Sequence, residues 1–198
     1  MAGIVNGIDT NAVGKTVHEL RHNAELGKFE FRARNRWLGD TRNLTTLQSF
    51  YGAGQEQTSK ARPFILRADE PYVLAGNDTA PNPVEHLLNA LASCVTTAIV
   101  LSAAVRGIHI EEVESELSGH LDVRGLLGIT DEVRKGYEDI NLTLRIRGDG
   151  TAEQLEQLAE YSPVYDVVRH GTKVNLTVKK IEATEHPGSQ PPEQHPIM

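Results

Sequence analysis

The sequence predicts an α+β fold in which one long apolar helix packs against antiparallel strands. Three observations lead there. Residues 87–105 carry no charge and follow a helix-starting signature. Ile140, Leu142, Leu144 and Ile146 alternate with Asn141, Thr143, Arg145 and Arg147, the period of a strand with one buried face. Strand signals are grouped on either side of the long helix instead of alternating with helices, which favours α+β over a βαβ series.

The elements follow in order. Residues 9–26 predict a short helix, with Thr10 or Asn11 as its cap and Val13, Val17, Leu20 and Ala24 at helical spacing. Gly27 ends it. Phe29, Phe31 and Ala33 alternate with charged residues as in a half-buried strand. Trp37-Leu38-Gly39-Asp40 reads as a turn, residues 44–51 and 64–68 as strands, and residues 69–81 as a loop.

Asn82, Pro83 and Glu85 then supply an N-cap, a first-turn proline and the acidic member of a capping box. Arg106-Gly107 is the matching stop. The uncharged run of about 19 residues is just long enough to span a bilayer. Asn89, Ser93, Thr96, Thr97 and Ser102 dilute it, so a helix buried by other elements is expected. After it come a mixed strand over 110–123, a strand at 140–146 and a break at Gly148-Asp149-Gly150. A helix over 152–160 follows, then a second short helix opened by Ser162-Pro163 and running to Val168. Val174, Leu176 and Val178 predict a last strand, and residues 183–198, with four prolines, a disordered tail.

Composition narrows the function. With 20 basic and 27 acidic residues the formal charge is -7, which argues against nucleic acid or an anionic membrane as partner. The single cysteine, Cys94, excludes an internal disulfide and suits a reducing compartment. The first residues show no basic segment followed by an apolar run, so a cytoplasmic location is expected. N-x-T triplets at Asn43, Asn77 and Asn175 are read as chance.

Cys94 lies seven residues beyond Leu87 and three beyond Leu91, on the apolar face of the long helix. It is about three turns from the helix start, outside useful reach of the dipole. Burial raises a thiol's pKa, and a neighbouring cation lowers it. The bland reading is a small hydrophobe; the sharp one is a reactive thiolate.

The run Asn82-Pro83-Val84-Glu85-His86-Leu87-Leu88 followed by Ala90-Leu91-Ala92-Ser93-Cys94 resembles the OsmC/Ohr family, the osmotically inducible and organic hydroperoxide resistance proteins. Trp37-Leu38-Gly39-Asp40 and Ser162-Pro163-Val164 are further matches, and the resemblance covers residues 28–181. It divides the chain into an N-terminal helical extension (1–27), the OsmC-like domain (28–182) and the tail (183–198). It implies an intertwined homodimer with active sites at the interface, in which a cysteine thiolate reduces organic hydroperoxides and becomes a sulfenic acid. Carried over residue by residue, Cys94 matches the peroxidatic cysteine and Ser162 the position of the resolving cysteine. Val84 takes the place of the supporting glutamate. The supporting arginine is expected to be Arg42 or Arg67. Glu85 is one residue beyond Val84. At about 100° per residue it falls about 180° from Cys94, better placed to cap the helix than to act on the thiol. With a serine at 162, the expected cycle uses one cysteine and an external thiol reductant, with no cofactor.

Two rivals remain open. The same interface could bind an apolar ligand and do no redox chemistry. Alternatively, His18-Glu19-Leu20-Arg21-His22 spells the H-E-x-x-H of zinc hydrolases. Charged Arg21 between the ligands and the lack of a third ligand at a familiar spacing favour a solvated helix face there. Arg124-Gly125-Leu126-Leu127-Gly128 reads as a tight turn, not a phosphate loop, and no nucleophile elbow occurs. His86 and His109 are assigned to surface or interface.

Overall fold

The computed structural model describes residues 3–58 and 62–181; the proline-rich tail expected at 183–198 lies outside them. The chain opens with a hairpin, β1 (Ile4–Val5) and β2 (Ile8–Asp9). Asn6 and Gly7 turn it with φ of 52° and 76°, as a two-residue Asn-Gly hairpin requires. The Asn6 amide then clamps the end of the long helix. It donates to the carbonyl of Ile108 at 3.0 Å and accepts from the Ile110 amide at 2.8 Å. Helix α1 (Thr10–His22) is capped by Asp9, whose carboxylate accepts from the amides of Asn11 and Ala12. The cap is therefore one or two residues earlier than expected. The helix also stops at His22, and a separate 3-10 turn, Ala24–Gly27, completes the segment.

Six short strands follow: β3 (Glu30–Phe31), β4 (Arg34–Gly39), β5 (Arg42–Leu47), β6 (Phe50–Gly52), β7 (Gln55–Gln57) and β8 (Phe64–Ala68). They form two antiparallel sheets, ordered β3-β6-β7 and β4-β5-β8. Two expectations change here. Trp37-Leu38-Gly39 is the end of β4, not a turn; the reversal sits at Asp40-Thr41, where Asp40 has φ of 45° and its carbonyl accepts from the Trp37 indole at 2.8 Å. The single strand expected over 44–51 divides between β5 and β6, which lie in different sheets.

The long helix α2 (Pro83–Val105) has the expected capping box: the Asn82 side chain accepts from the Glu85 amide at 2.9 Å, and the Glu85 carboxylate accepts from the Asn82 amide at 2.8 Å. Gly107, at φ +70°, supplies the left-handed residue after its end. By length and composition α2 could cross a bilayer, but the fold uses its apolarity otherwise. Leu91, Val95, Ile99 and Ala103 form the spine of the core.

Beyond α2 come β9 (Ile110–His120), a short α3 (Val123–Leu126), β10 (Asp139–Gly148), α4 (Ala152–Ala159) and α5 (Pro163–His170). Strands β9 and β10 pair antiparallel. Their inward residues, among them Val113, Leu117, Leu142 and Leu144, close over α2, while Leu155, Leu158 and Ala159 of α4 complete the core. Their outward residues form ion pairs, Arg145 with Glu116 and Arg147 with Glu112. Helix α3 stands where a bare turn was expected. The last strand expected at Val174–Val178 is not formed; residues 172–181 join no sheet, and Val174, Leu176 and Val178 are each more than 80% exposed.

Candidate functional site

Helix α2 presents two different apolar faces. Val95, Ile99 and Ala103 are fully buried against α4, α5 and β9. Cys94 lies about 60° round the helix from Leu91, at the flank of that face. It is half-buried. With Leu87 and Leu101 it forms a stripe of strict seven-residue spacing, and Val105 extends it. These three neighbours are 39%, 38% and 52% exposed. The thiol thus sits at the midpoint of a 23-residue helix, on an apolar stripe that its own chain leaves partly uncovered.

Among the described residues, Cys94 carries no ion pair. Among the described residues, no hydrogen bond or ion pair joins it to Arg42 or Arg67. The structure does bring those two arginines together. Leu44 pairs with Arg67 across β5 and β8, and Arg42 is two residues before Leu44, so both project from one face of the sheet. Arg42 is engaged by its neighbour: its Nε donates to Asp40 Oδ1 at 2.9 Å and to Oδ2 at 3.2 Å. That contact holds the Asp40 carboxyl below its ordinary pKa and raises the guanidinium's. Arg67 is linked to α2 through its backbone, because His86 Nε2 donates to the Arg67 carbonyl at 2.8 Å. This assigns His86, expected at surface or interface, a specific job in joining β8 to the first turn of α2.

Glu85 is committed to the capping box, as its angle from Cys94 predicts. At Val84 the backbone carbonyl accepts from the Tyr137 hydroxyl at 3.0 Å. Burial, and then the Glu85 charge, raises the Tyr137 phenol's pKa. Ser162 is 1% exposed and caps α5, accepting from the Tyr165 amide at 3.2 Å. A serine at this position is therefore a structural cap in its own right.

The residue that the sequence reading missed is Asp69. It is a buried carboxylate at the end of β8, 1% exposed. It accepts from the Thr41 hydroxyl at 2.6 Å, the Thr79 hydroxyl at 2.7 Å, the Thr79 amide at 3.1 Å and the Glu70 amide at 2.9 Å. These donors, Thr41 first, hold its pKa far below the usual carboxylate range. Asp69 thereby fixes the turn carrying Arg42 to the loop leading into α2. Gly76 completes that loop, since a Cβ there would lie 1.7 Å from the Glu70 carbonyl oxygen. Glu70 itself is half-buried, and its pKa is raised by burial, then by the charges of Asp69 and Glu85. A local signal existed in the acidic pair before Pro71, but the partners, Thr41 and Thr79, are 28 and 10 residues away.

The histidine pair on α1 has no such environment. His18 and His22 are exposed, and His22 Nδ1 donates to the His18 carbonyl at 2.8 Å. Among the described residues, no group of three His, Cys, Asp or Glu is gathered closely enough to hold a metal.

Comparison with known proteins agrees with this architecture. Residues 76–177, just over half of the chain, match the family model described as OsmC-like protein. Among curated proteins nothing matches. Among solved structures, the chain is similar to an osmotic stress induced and detoxification response protein from Psychrobacter arcticus, with 17% identity and a TM-score of 0.52 over 70% of this chain and 88% of that one. An OsmC-like protein from Mycoplasma pneumoniae aligns with 16% identity and a TM-score of 0.49 over 72% and 88%. An organic hydroperoxide resistance protein from Legionella pneumophila aligns with 20% identity and a TM-score of 0.46 over 71% and 90%. The matched segment holds α2, Cys94, the capping box, β9, β10, α4 and α5, and the chain belongs to the OsmC-like protein family.

Proposed function

We propose that the protein is a cytoplasmic homodimer that reduces organic hydroperoxides through Cys94 in a one-cysteine cycle. The observation that carries this reading is the placement of Cys94 at the centre of the half-covered Leu87–Cys94–Leu101 stripe, where an apolar substrate can meet sulfur. A thiol meant only for packing would belong on the Val95–Ile99 face. The Cys94 thiolate attacks one oxygen of the O–O bond and the alkoxide leaves, taking a proton to become the alcohol. The sulfur is left as sulfenic acid. One external thiol then condenses with it, releasing water and forming a mixed disulfide. A second external thiol attacks that disulfide, returning Cys94 and releasing the oxidised reductant. Arg42 or Arg67 is the cation for the thiolate, from the same chain or its partner.

The unfinished surfaces support the dimer. The seven-residue stripe suits packing of one helix on another. Among the described residues, strand β4 has a free edge carrying Arg34 and Arg36, and β9 has a free edge carrying Glu114. Two copies related by a two-fold axis can satisfy both edges twice.

The test is to treat the reduced protein with a small excess of an organic hydroperoxide and read its intact mass with a dimedone trap. Fast adduct formation confined to Cys94 is expected. A thiol no faster than free cysteine would overturn the peroxidase reading and leave a dimer that binds an apolar ligand.

A further inference from the structure

The N-terminal hairpin and α1 are fastened to the core at a narrow point. Helix α1 buries none of its residues. Among the described residues, Asn6 alone ties the hairpin and α1 to the core by side-chain hydrogen bonds. Its amide is used at both ends. Nδ2 donates to the carbonyls of Ile108 at 3.0 Å and Val100 at 3.5 Å, and Oδ1 accepts from the Ile110 amide at 2.8 Å. A carboxylate repeats only the last of these, because it accepts and does not donate. Asn6 is also the one asparagine of the chain that precedes a glycine. Gly7 lies exposed at the tip of the hairpin with φ of 76°. Having no side chain, it lets its own backbone nitrogen approach the Asn6 side-chain carbonyl carbon. Among the described residues the Gly7 amide has no backbone hydrogen-bond partner, and His109, a base, lines the same cleft as Asn6 and Gly7.

We propose that Asn6 is a self-modification site, at which conversion to aspartate or isoaspartate unfastens the N-terminal hairpin and α1 from the core. The Gly7 nitrogen loses its proton to a base and attacks Asn6 Cγ. The N–Cγ bond forms, the Cγ–Nδ2 bond breaks, and the amide nitrogen takes up a proton and leaves as ammonia. The product is a cyclic imide. Water then opens the ring at either carbonyl carbon. Opening at one restores the backbone with an aspartate side chain; opening at the other routes the backbone through the former side chain. Water is the one co-reactant, and nothing is oxidised or reduced. Both products lack the Nδ2 donor, so the Ile108 and Val100 carbonyls lose their partner. Both also carry a new carboxylate in a cleft that Glu111 and Glu112 line, where like charges disfavour one another. With so little burial to hold α1, loss of this clamp frees the hairpin and α1 while the α2 core stays intact. The inference does not depend on the chemistry of Cys94.

Two measurements on the full chain test it. The first ages the native protein in warm, mildly alkaline buffer and follows each asparagine by peptide mass spectrometry, with fragmentation that separates isoaspartate from aspartate. Conversion at Asn6 is expected to outpace conversion at every other asparagine. An Asn6 that stays intact while Asn77 or Asn11 converts would overturn the modification site. The second compares amide hydrogen exchange of the wild type with Asn6→Asp. Aspartate tolerates the positive φ of residue 6 as asparagine does, so the exchange isolates the lost donor. Protection over residues 10–22 should be lost in Asn6→Asp and in the aged protein, while the amides of α2 stay protected. Equal protection of residues 10–22 in the two chains would overturn the fastening role. So would a wild-type α1 that already exchanges at free-peptide rates, because there would then be nothing for Asn6 to hold.

Discussion

The two halves of the chain are unequally finished. Residues 83–170 build a core in which α2, β9, β10, α4 and α5 bury one another's apolar faces. Residues 29–68 form two small sheets whose large apolar side chains stay exposed: Phe31, Trp37 and Phe64 are each more than half accessible, and Ala68 is the one buried hydrophobic residue there among those described. Both halves have strands with good alternation or β-forming residues. The difference lies in what covers them: among the described residues, helices α2, α4 and α5 pack with the second half's sheet into one core. Among the described residues nothing covers the large apolar side chains of the first half, and the thiol stripe of α2 is likewise only partly covered.

The largest expected effect contrasts the halves directly. Ile99→Ala removes a fully buried side chain from the spine of the core and should cost about 2–5 kcal/mol, read as a lower urea midpoint at any protein concentration. Trp37→Ala should leave that midpoint unchanged at concentrations where the chain is monomeric, and weaken association measured by sedimentation. Equal losses from both variants would break the distinction.

Next in size is the joint between the halves. Asp69→Ala strips the acceptor from Thr41 on one side and Thr79 on the other, and should lower Tm by several degrees. Asp69 also sets an acid limit. Its folded pKa is depressed, so its contribution is complete above the unfolded value of about 3.9 and is lost as pH falls toward the folded pKa. Stability of the native chain should therefore decline below about pH 4, and Asp69→Asn should flatten that decline in urea titrations between neutral and acid pH.

A third experiment asks whether the first half serves the second. If an arginine of the β5–β8 face supports the thiolate, its replacement by alanine should slow alkylation of Cys94 at neutral pH, because a nearby opposite charge favours the thiolate. Alkylation rate against pH for Arg42→Ala and Arg67→Ala separates the two. No shift in either variant would mean that the cation comes from elsewhere. Measuring the same variants across a range of protein concentrations sharpens the result, because an arginine of a partner would act only in the proposed dimer.

Legibility in the sequence followed the range of the interactions. The capping box of α2 spans three residues, and the alternation of 140–146 is local, so both were readable. The family resemblance rested on the same local run. Asp69 was invisible because its donors come from Thr41 and Thr79, and Asn6 because it reaches across about a hundred residues to Ile108 and Ile110. The split of 44–51 between two sheets was equally hidden, since alternation tells that a residue lies in a strand but not which strand it pairs with. The nearness of Arg42 to Arg67 was hidden for the same reason: they become neighbours only when β5 and β8 pair.

The smallest effect separates ion pairs that belong to a finished surface from charges that wait for a partner. Arg147 and Glu112 face solvent across β9 and β10, with side chains 70% and 43% exposed. Water screens such a pair, so Arg147→Ala should cost about 0.5 kcal/mol or less and leave association unchanged. Arg34 and Arg36 on the free edge of β4 have no ion pair among the described residues. Reversing both to glutamate should leave the monomer's urea midpoint within error and raise the dissociation constant of the proposed dimer, more at low salt than at high. The converse reversal on β9, Glu114→Arg, should weaken association with the wild-type chain alike. Mixing the two reversed chains should restore association, because the edges are then complementary again with signs exchanged. Failure of the mixture to associate would show that these edges do not meet, and the open face of the first half would need a different cover.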